Sequence, residues 1–317
     1  MGASHGMSLA GIVTALLLMG STRSPDDSMS VKAVIDWSPR WGSAGHEMAA
    51  RAAIATLPED VPSFFRDAAA QLVYLNPEPD RWRDRAATAM DQAWSYDHYI
   101  DLENIPEGAL DAPDRFTYLR ILREDGRERP ERDGGLLLYR IIELYQRLVA
   151  EWRMWHAEDD LERKGWIQER IVNDAGILGH YVTDGSQPHH TTIHFNGWDA
   201  GTTNPERYTD DRTFHSRFES RFIETHVTQD DIDGRVPERA KVVVGSVGAA
   251  VLDYLRSTHA TVETLYRLDR DIGFDPDGPL RPEARDFAAD RLAAGSAMLA
   301  RLWLSAWAEG HWEPLNK

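Results

Sequence analysis

GWIQERIVNDAGILGHYVTDGSQPHH, Gly165–His190, carries the pattern on which the reading of this chain turns. Apolar residues recur at three- and four-residue steps, the period of a helix with one buried face. Residues i and i+4 lie on one helical face, so His180 and Asp184 point the same way. Pro188 cannot sit comfortably inside a helix and biases Gln187 away from helical angles. The stretch therefore reads as a helix bearing two ligand-type groups, followed by a sharp exit that swings His189 or His190 back beside them.

The same period runs through most of the chain after Trp41. GHEMAARAAIATL (Gly45–Leu57), VPSFFRDAAAQLVYL, GGLLLYRIIELYQRLVAEWRMW (Gly134–Trp155), FHSRFESRFIETHV, RAKVVVGSVGAAVLDYLRSTHATVETLYRL and EARDFAADRLAAGSAMLARLWLSAWAE all read as helical. There is no run of alternating strands, no Gly-rich phosphate loop and no internal repeat. The irregular parts are 76–84, 103–114, 187–206 and 269–282. The expected fold is a single all-α helical-bundle domain over residues 41–317, with long functional loops.

Residues 1–40 read as a leader and linker. The apolar run LAGIVTALLLMG (Leu9–Gly20) is too short for a spanning helix, which needs about 20 apolar residues, and fits a signal-peptide core. The expectation is a secreted or periplasmic protein with no transmembrane domain in its mature form. No Lys or Arg precedes the run and no clear cleavage site follows it.

The chain has no Cys, which excludes thiolate metal sites, cysteine nucleophiles and disulfides. Any transition metal must be held by His nitrogen and carboxylate oxygen. A net charge of -17 disfavours bulk coating of nucleic acid, which needs a basic face. It does not exclude an enzyme that handles a phosphodiester through bound cations, which dominate the local charge of their site.

Several of the 12 His fall beside acids or helix ends. HYVTD supplies His180 and Asp184; FHSRFE supplies His215 and Glu219, again at i and i+4. His46 precedes an Ala-rich helix, His98 stands in DHYID, and Asp80 and Asp84 share a Pro-bounded loop. A lone pair of this kind is most often a solvated helix face, and His98 between two Tyr is compatible with a buried core residue. Two His–carboxylate pairs on separate helices, with further His near helix ends, are one way for a bundle to hold several metals in its core.

WGSAGH, DHYID, HYVTDGSQPHH and HSRFE, in that order, resemble the zinc-dependent phospholipase C / S1-P1 nuclease superfamily, over Trp41 to about Glu224. The resemblance implies a single all-α domain with three zinc ions that hydrolyses phosphate esters. Carried over, the first zinc takes Asp80, His98, His180 and Asp184. A second takes His190, His215 and Glu219. The third takes Trp41, through its amino nitrogen and carbonyl, and His46, with Asp184 as a bridge to the first. His190 matches the family's spacing after Asp184, and His189 fills the usually apolar slot before it. Asp80 is preferred to Asp84 because PDRWR resembles the family's Asp-x-x-Arg loop. In the family this Trp is the mature N-terminus; cleavage after Arg40 requires a processing event that the sequence does not display.

Zinc brings the pKa of bound water down to about 7, so hydroxide is present at neutral pH. On this reading Asp184 helps hold the nucleophile, and Asp80 orients or deprotonates the water. The branch is divided. WGSAGH resembles the nucleases; Glu219, where that branch favours Asp, and the absence of Cys resemble bacterial phospholipase C, which is the preferred expectation. The substrate is then a phospholipid, or a single-stranded nucleic acid in the alternative, with Trp82, Trp94, Phe195 and Trp198 as candidate stacking faces. A metal-binding bundle without catalysis is the third reading.

Overall fold

A computed structural model describes residues 42–84 and 86–311. The leader 1–40 and Trp41 lie outside the described residues. The described chain is mostly helical and contains no strand, only two isolated bridges. None of its helices is long and apolar enough to cross a membrane.

The decisive stretch forms the helix Leu161–Asp184. Asp160 caps it, its carboxylate accepting the Arg163 N–H at 2.9 Å. Every residue from Asp174 to Asp184 is buried, so the second half of the helix runs through the interior with no solvated face. Residues 158–160 connect it to Leu137–Ala157, and the two helices pack along one another as a hairpin. The long helix Pro282–Gly310 packs on both of them and on Gly42–Ala55. Ala49, Ala50, Ala52 and Ala53 are fully buried on the latter helix, and their small side chains allow close approach.

Two apolar clusters flank the site. One gathers Trp152, Trp303, Phe65 and Leu178 around the hairpin. The other gathers Phe214, Phe218, Phe222, Tyr266 and Phe274. Burying such side chains contributes about 1.5–3 kcal/mol each.

The helix surface is cut away where Ala69–Leu75 crosses it. A Cβ on Gly176 would collide with the Leu75 Cβ, and one on Gly179 would stand 2.5 Å from the Asn76 Nδ2. These glycines let Asn76 lie directly over the helix, one residue from His180.

Three segments depart from the sequence expectation. Val242–Val244 is not helical: the β-branched run stays irregular, Gly245 takes φ 85°, and the helix begins at Val247 after Ser246 caps it. FHSRFESRFIETHV is helical, but Arg217–Phe222 is a π-helical turn. Arg115–Glu124 is a helix capped by Asp114, whose carboxylate accepts from Phe116 and Thr117 N–H. Its start lies at the edge of the expected loop.

Gly176→Ala tests the close crossing. Overpacking costs about 1–3 kcal/mol, against about 1 kcal/mol of helix propensity gained. A net loss of stability in denaturant titration is expected, and an increase would show that Leu75 yields freely.

Candidate metal centre

The end of the Leu161–Asp184 helix supplies His180 and Asp184 on one face, with His180 Nε2 3.2 Å from Asp184 Oδ2. The chain leaves through Gly185–Gln187 into a 3-10 turn, Pro188–Thr191. This turn brings His190 back, its Nδ1 3.5 Å from Asp184 Oδ1. His98 arrives from a 3-10 turn, Ser95–His98, with Nδ1 3.0 Å from Asp184 Oδ2. His46 comes from Gly42–Ala55, with Nε2 3.6 Å from Asp184 Oδ1. Asp184 thus turns one oxygen to His46 and His190 and the other to His98 and His180.

Asp80 lies in the short helix Glu78–Arg81, 3.9 Å from both His98 and His180. Asp84 is exposed and instead accepts the Ala86 N–H. On the far side His190 Nε2 is 3.1 Å from His215 Nε2 and 3.4 Å from Glu219 Oε2, while His215 and Glu219 are 2.7 Å apart. The π turn carries Glu219 into the interior, where it is fully buried.

Three groups of donor atoms result: His46, His180 and Asp184; Asp80, His98 and His180; His190, His215 and Glu219. Ligands held about 2.0–2.1 Å from a tetrahedral centre stand about 3.3–3.4 Å apart. The observed separations of 2.7–3.9 Å straddle that value. The His98 Nδ1 and His180 Nε2 atoms are 3.0 Å apart, a spacing at which the rings either share a proton or turn both lone pairs to one cation. These clusters can hold metal ions.

Burial raises the cost of charge, but the neighbours decide the outcome. Desolvation pushes the Asp184 and Glu219 carboxyls up; His180 and His190 outweigh it for Asp184, and His215 and His190 for Glu219, leaving both well below the usual range. Desolvation likewise depresses His180 and His190, yet Asp184 and its companions hold both above the ordinary imidazole value. His46 is driven down to about 3, by burial first and His180 second. Burial lifts Asp80. The pocket is a buried anionic pair that draws positive charge to itself.

Around the ligands stand residues that sequence reasoning did not single out. Asn76 accepts at its Oδ1 from His46 Nδ1 and at its backbone carbonyl from His180 Nδ1, both at 2.9 Å. With those protons fixed, the Nε2 lone pairs face the cluster. The His98 carbonyl holds His190 Nδ1 at 2.7 Å in the same way. Gln187 donates to Glu219 at 3.1 Å. Glu103 accepts from the Thr192 hydroxyl and from the Ile193 N–H, pinning the chain beyond His190. His259, which has no sequence partner, meets the Thr191 carbonyl at 2.8 Å. Only the placement of Asn76, just after an apolar helix and before the Asp80 loop, offered a hint.

His189 is buried among Phe214, Phe218 and Tyr266 and belongs to none of the three groups. Trp82 and Trp94 pack edge to face on each other, and Trp198 stacks on His194 at 3.7 Å. Phe195 is half exposed on the wall of a cavity of about 580 Å³ that is also lined by His98, His190 and His215.

No protein-family model, curated protein or solved structure matches the chain.

His190→Ala is expected to remove bound metal, measured by plasma mass spectrometry, while His189→Ala leaves the metal content unchanged; the opposite result reverses the assignment. Divalent affinity falls as pH falls, because protons held on His180 and His190 above the usual value must be displaced. Chelator competition at pH of about 7.5 and about 5.5 is expected to differ by about tenfold or more.

Proposed function

We propose that the protein is a metal-dependent phosphodiester hydrolase of the zinc-dependent phospholipase C / S1-P1 nuclease type, with a site for three zinc ions. The observation that carries this reading is Asp184, one of whose oxygens lies beside His46 and the other beside His98 and His180 in the buried interior. Sites linked by one carboxylate suit shared catalytic metals better than the closed four-ligand cages of structural zinc. This weighs against the non-catalytic bundle.

Asp80, His98, His180 and Asp184 would hold the first ion, and His190, His215 and Glu219 the second. His46 and Asp184 would hold the third, with Trp41 if it is the mature N-terminus. Bound zinc supplies a water acidic enough to ionise at neutral pH and positive charge for the phosphate. The remaining steps belong to the chain. Asp80 and His215, with side chains 19% and 13% exposed, are the cluster members nearest solvent, while the others are buried. Asp80, a partly exposed carboxylate, would orient or deprotonate the attacking water. Arg83 lines the cavity 3.9 Å from Asp80 and sets a fixed cation beside the scissile phosphate.

The preferred substrate is a phospholipid, on the strength of Glu219 and the absence of Cys. The single-strand nuclease reading draws on Phe195, whose exposed ring in the cavity wall offers a face for a base. Export, suggested by Leu9–Gly20, suits either substrate.

Metal-loaded protein is expected to hydrolyse bis(4-nitrophenyl) phosphate and to lose activity on chelation. Asp184→Asn is expected to lower kcat/KM by about a hundredfold or more, about 2.7 kcal/mol of barrier, together with metal content. Loaded protein that leaves the diester intact refutes the proposal. Phosphatidylcholine micelles compared with single-stranded DNA separate the branches; cleavage of the DNA alone discards the phospholipase preference.

A further inference from the structure

The segment Gly126–Gly135 is bound closely to the stretch that carries His98. Leu136 and Leu137 N–H donate to the Tyr96 and Tyr99 carbonyls at 2.8 and 3.1 Å, and Asp101 N–H donates to the Gly134 carbonyl at 3.0 Å. The Tyr99 hydroxyl donates to the Arg132 carbonyl at 2.7 Å, and Asn104 Nδ2 to the Asp133 carbonyl at 2.8 Å. Gly135 makes the crossing possible with φ 72° where the Tyr99 carbonyl passes against it. The straps carry Arg129 and Arg132 to the wall of the cavity that His98, His190 and His215 also line.

Both guanidiniums are solvent-exposed, and among the described residues neither is ion-paired with a carboxylate. Arg129 donates to the neutral Tyr96 hydroxyl at 3.0 Å. In a chain with 52 acidic and 35 basic residues, most other arginines near acids are engaged. Two exposed cations on the wall of the cavity that His98, His190 and His215 also line, neither neutralised by a carboxylate, suit an anion. Asp101, Asp133 and Asp199 line the same cavity. Their charge opposes an anion entering the cavity, and the two guanidiniums must outweigh it.

We propose that Arg129 and Arg132 form a subsite for a second phosphate carried by the substrate, beyond the one that is hydrolysed. The inference rests on the phosphodiesterase reading. It makes the two arginines specificity determinants, while the metal ligands perform the cleavage.

The test uses metal-loaded protein and matched substrates that differ by one phosphate. The nucleotide arm compares thymidine 5′-(4-nitrophenyl phosphate) with its 3′-phosphorylated form. The lipid arm compares phosphatidylinositol with phosphatidylinositol 4-phosphate in mixed micelles. The extra phosphate is expected to raise kcat/KM by about tenfold, the size of one charge-assisted contact, with the gain shrinking as salt rises. Arg129→Gln/Arg132→Gln removes that preference and leaves the singly phosphorylated substrate within about twofold, since both side chains are exposed and neither belongs to the three donor groups. The arm that shows the preference identifies the source of the phosphate. Calorimetric binding of thymidine 3′,5′-bisphosphate and of inositol 1,4-bisphosphate supplies a readout that needs no turnover, and the double variant is expected to weaken one of them about tenfold. Hydrolysis without a preference in either arm, or a preference that survives the double variant, overturns the subsite while leaving the phosphodiesterase reading intact. Failure of every substrate to react overturns that reading, and calorimetry then decides the subsite alone.

Discussion

Two carboxylates, Asp184 and Glu219, are enclosed in the interior of a helical protein, each 1% exposed or less. An unpaired ion in such surroundings costs several kcal/mol. The protein surrounds them with five imidazoles from four separate stretches of chain: His46, His98, His180 with His190, and His215. The helices, the 3-10 turns and the π turn can be read as the means of bringing those rings to those oxygens. A bundle stabilised by apolar packing alone would have had no reason to bury either acid.

The ligands are themselves held. Asn76 fixes two rings at once, and it reaches them because Gly176 and Gly179 remove side chains where Ala69–Leu75 crosses the central helix. Glu103 and His259 secure the loop that follows His190. A single large side chain at the crossing would therefore disturb the tautomers of two imidazoles as well as the packing.

Much of this was legible in the amino-acid order. Helical period located most of the long helices, and the i, i+4 pairs at His180–Asp184 and His215–Glu219 lie on one face as spacing requires. The exit at Pro188 brings His190 beside Asp184, while helical period alone left His189 and His190 open and only the family spacing favoured His190. The choice depends on which ring meets Phe214 and Tyr266, a tertiary matter. Asp80 and Asp84 were separated only by the Asp-x-x-Arg resemblance; the expected loop folds into the short helix Glu78–Arg81, which turns Asp80 toward His98 and His180 and leaves Asp84 exposed beyond it. The π turn left no trace in periodicity, because one extra residue per turn is absorbed within the scatter of apolar positions. The Val242–Val244 run misled for a related reason: apolar content without a cap is equally good as an irregular covering segment. Asn76 and Glu103 act on segments far from them in the chain, through a side-chain amide, a backbone carbonyl and a carboxylate, which no local pattern announces beyond the placement of Asn76.

The grouped residues are widely separated in the chain, with His46 and Glu219 at the extremes. Closing such long loops costs entropy that grows only slowly with length, and in a protein without cysteine no disulfide fastens them. A cation lodged among these segments would act as a removable rivet between them. The lifetime of the protein in a hostile medium would then report how much free divalent ion that medium contains.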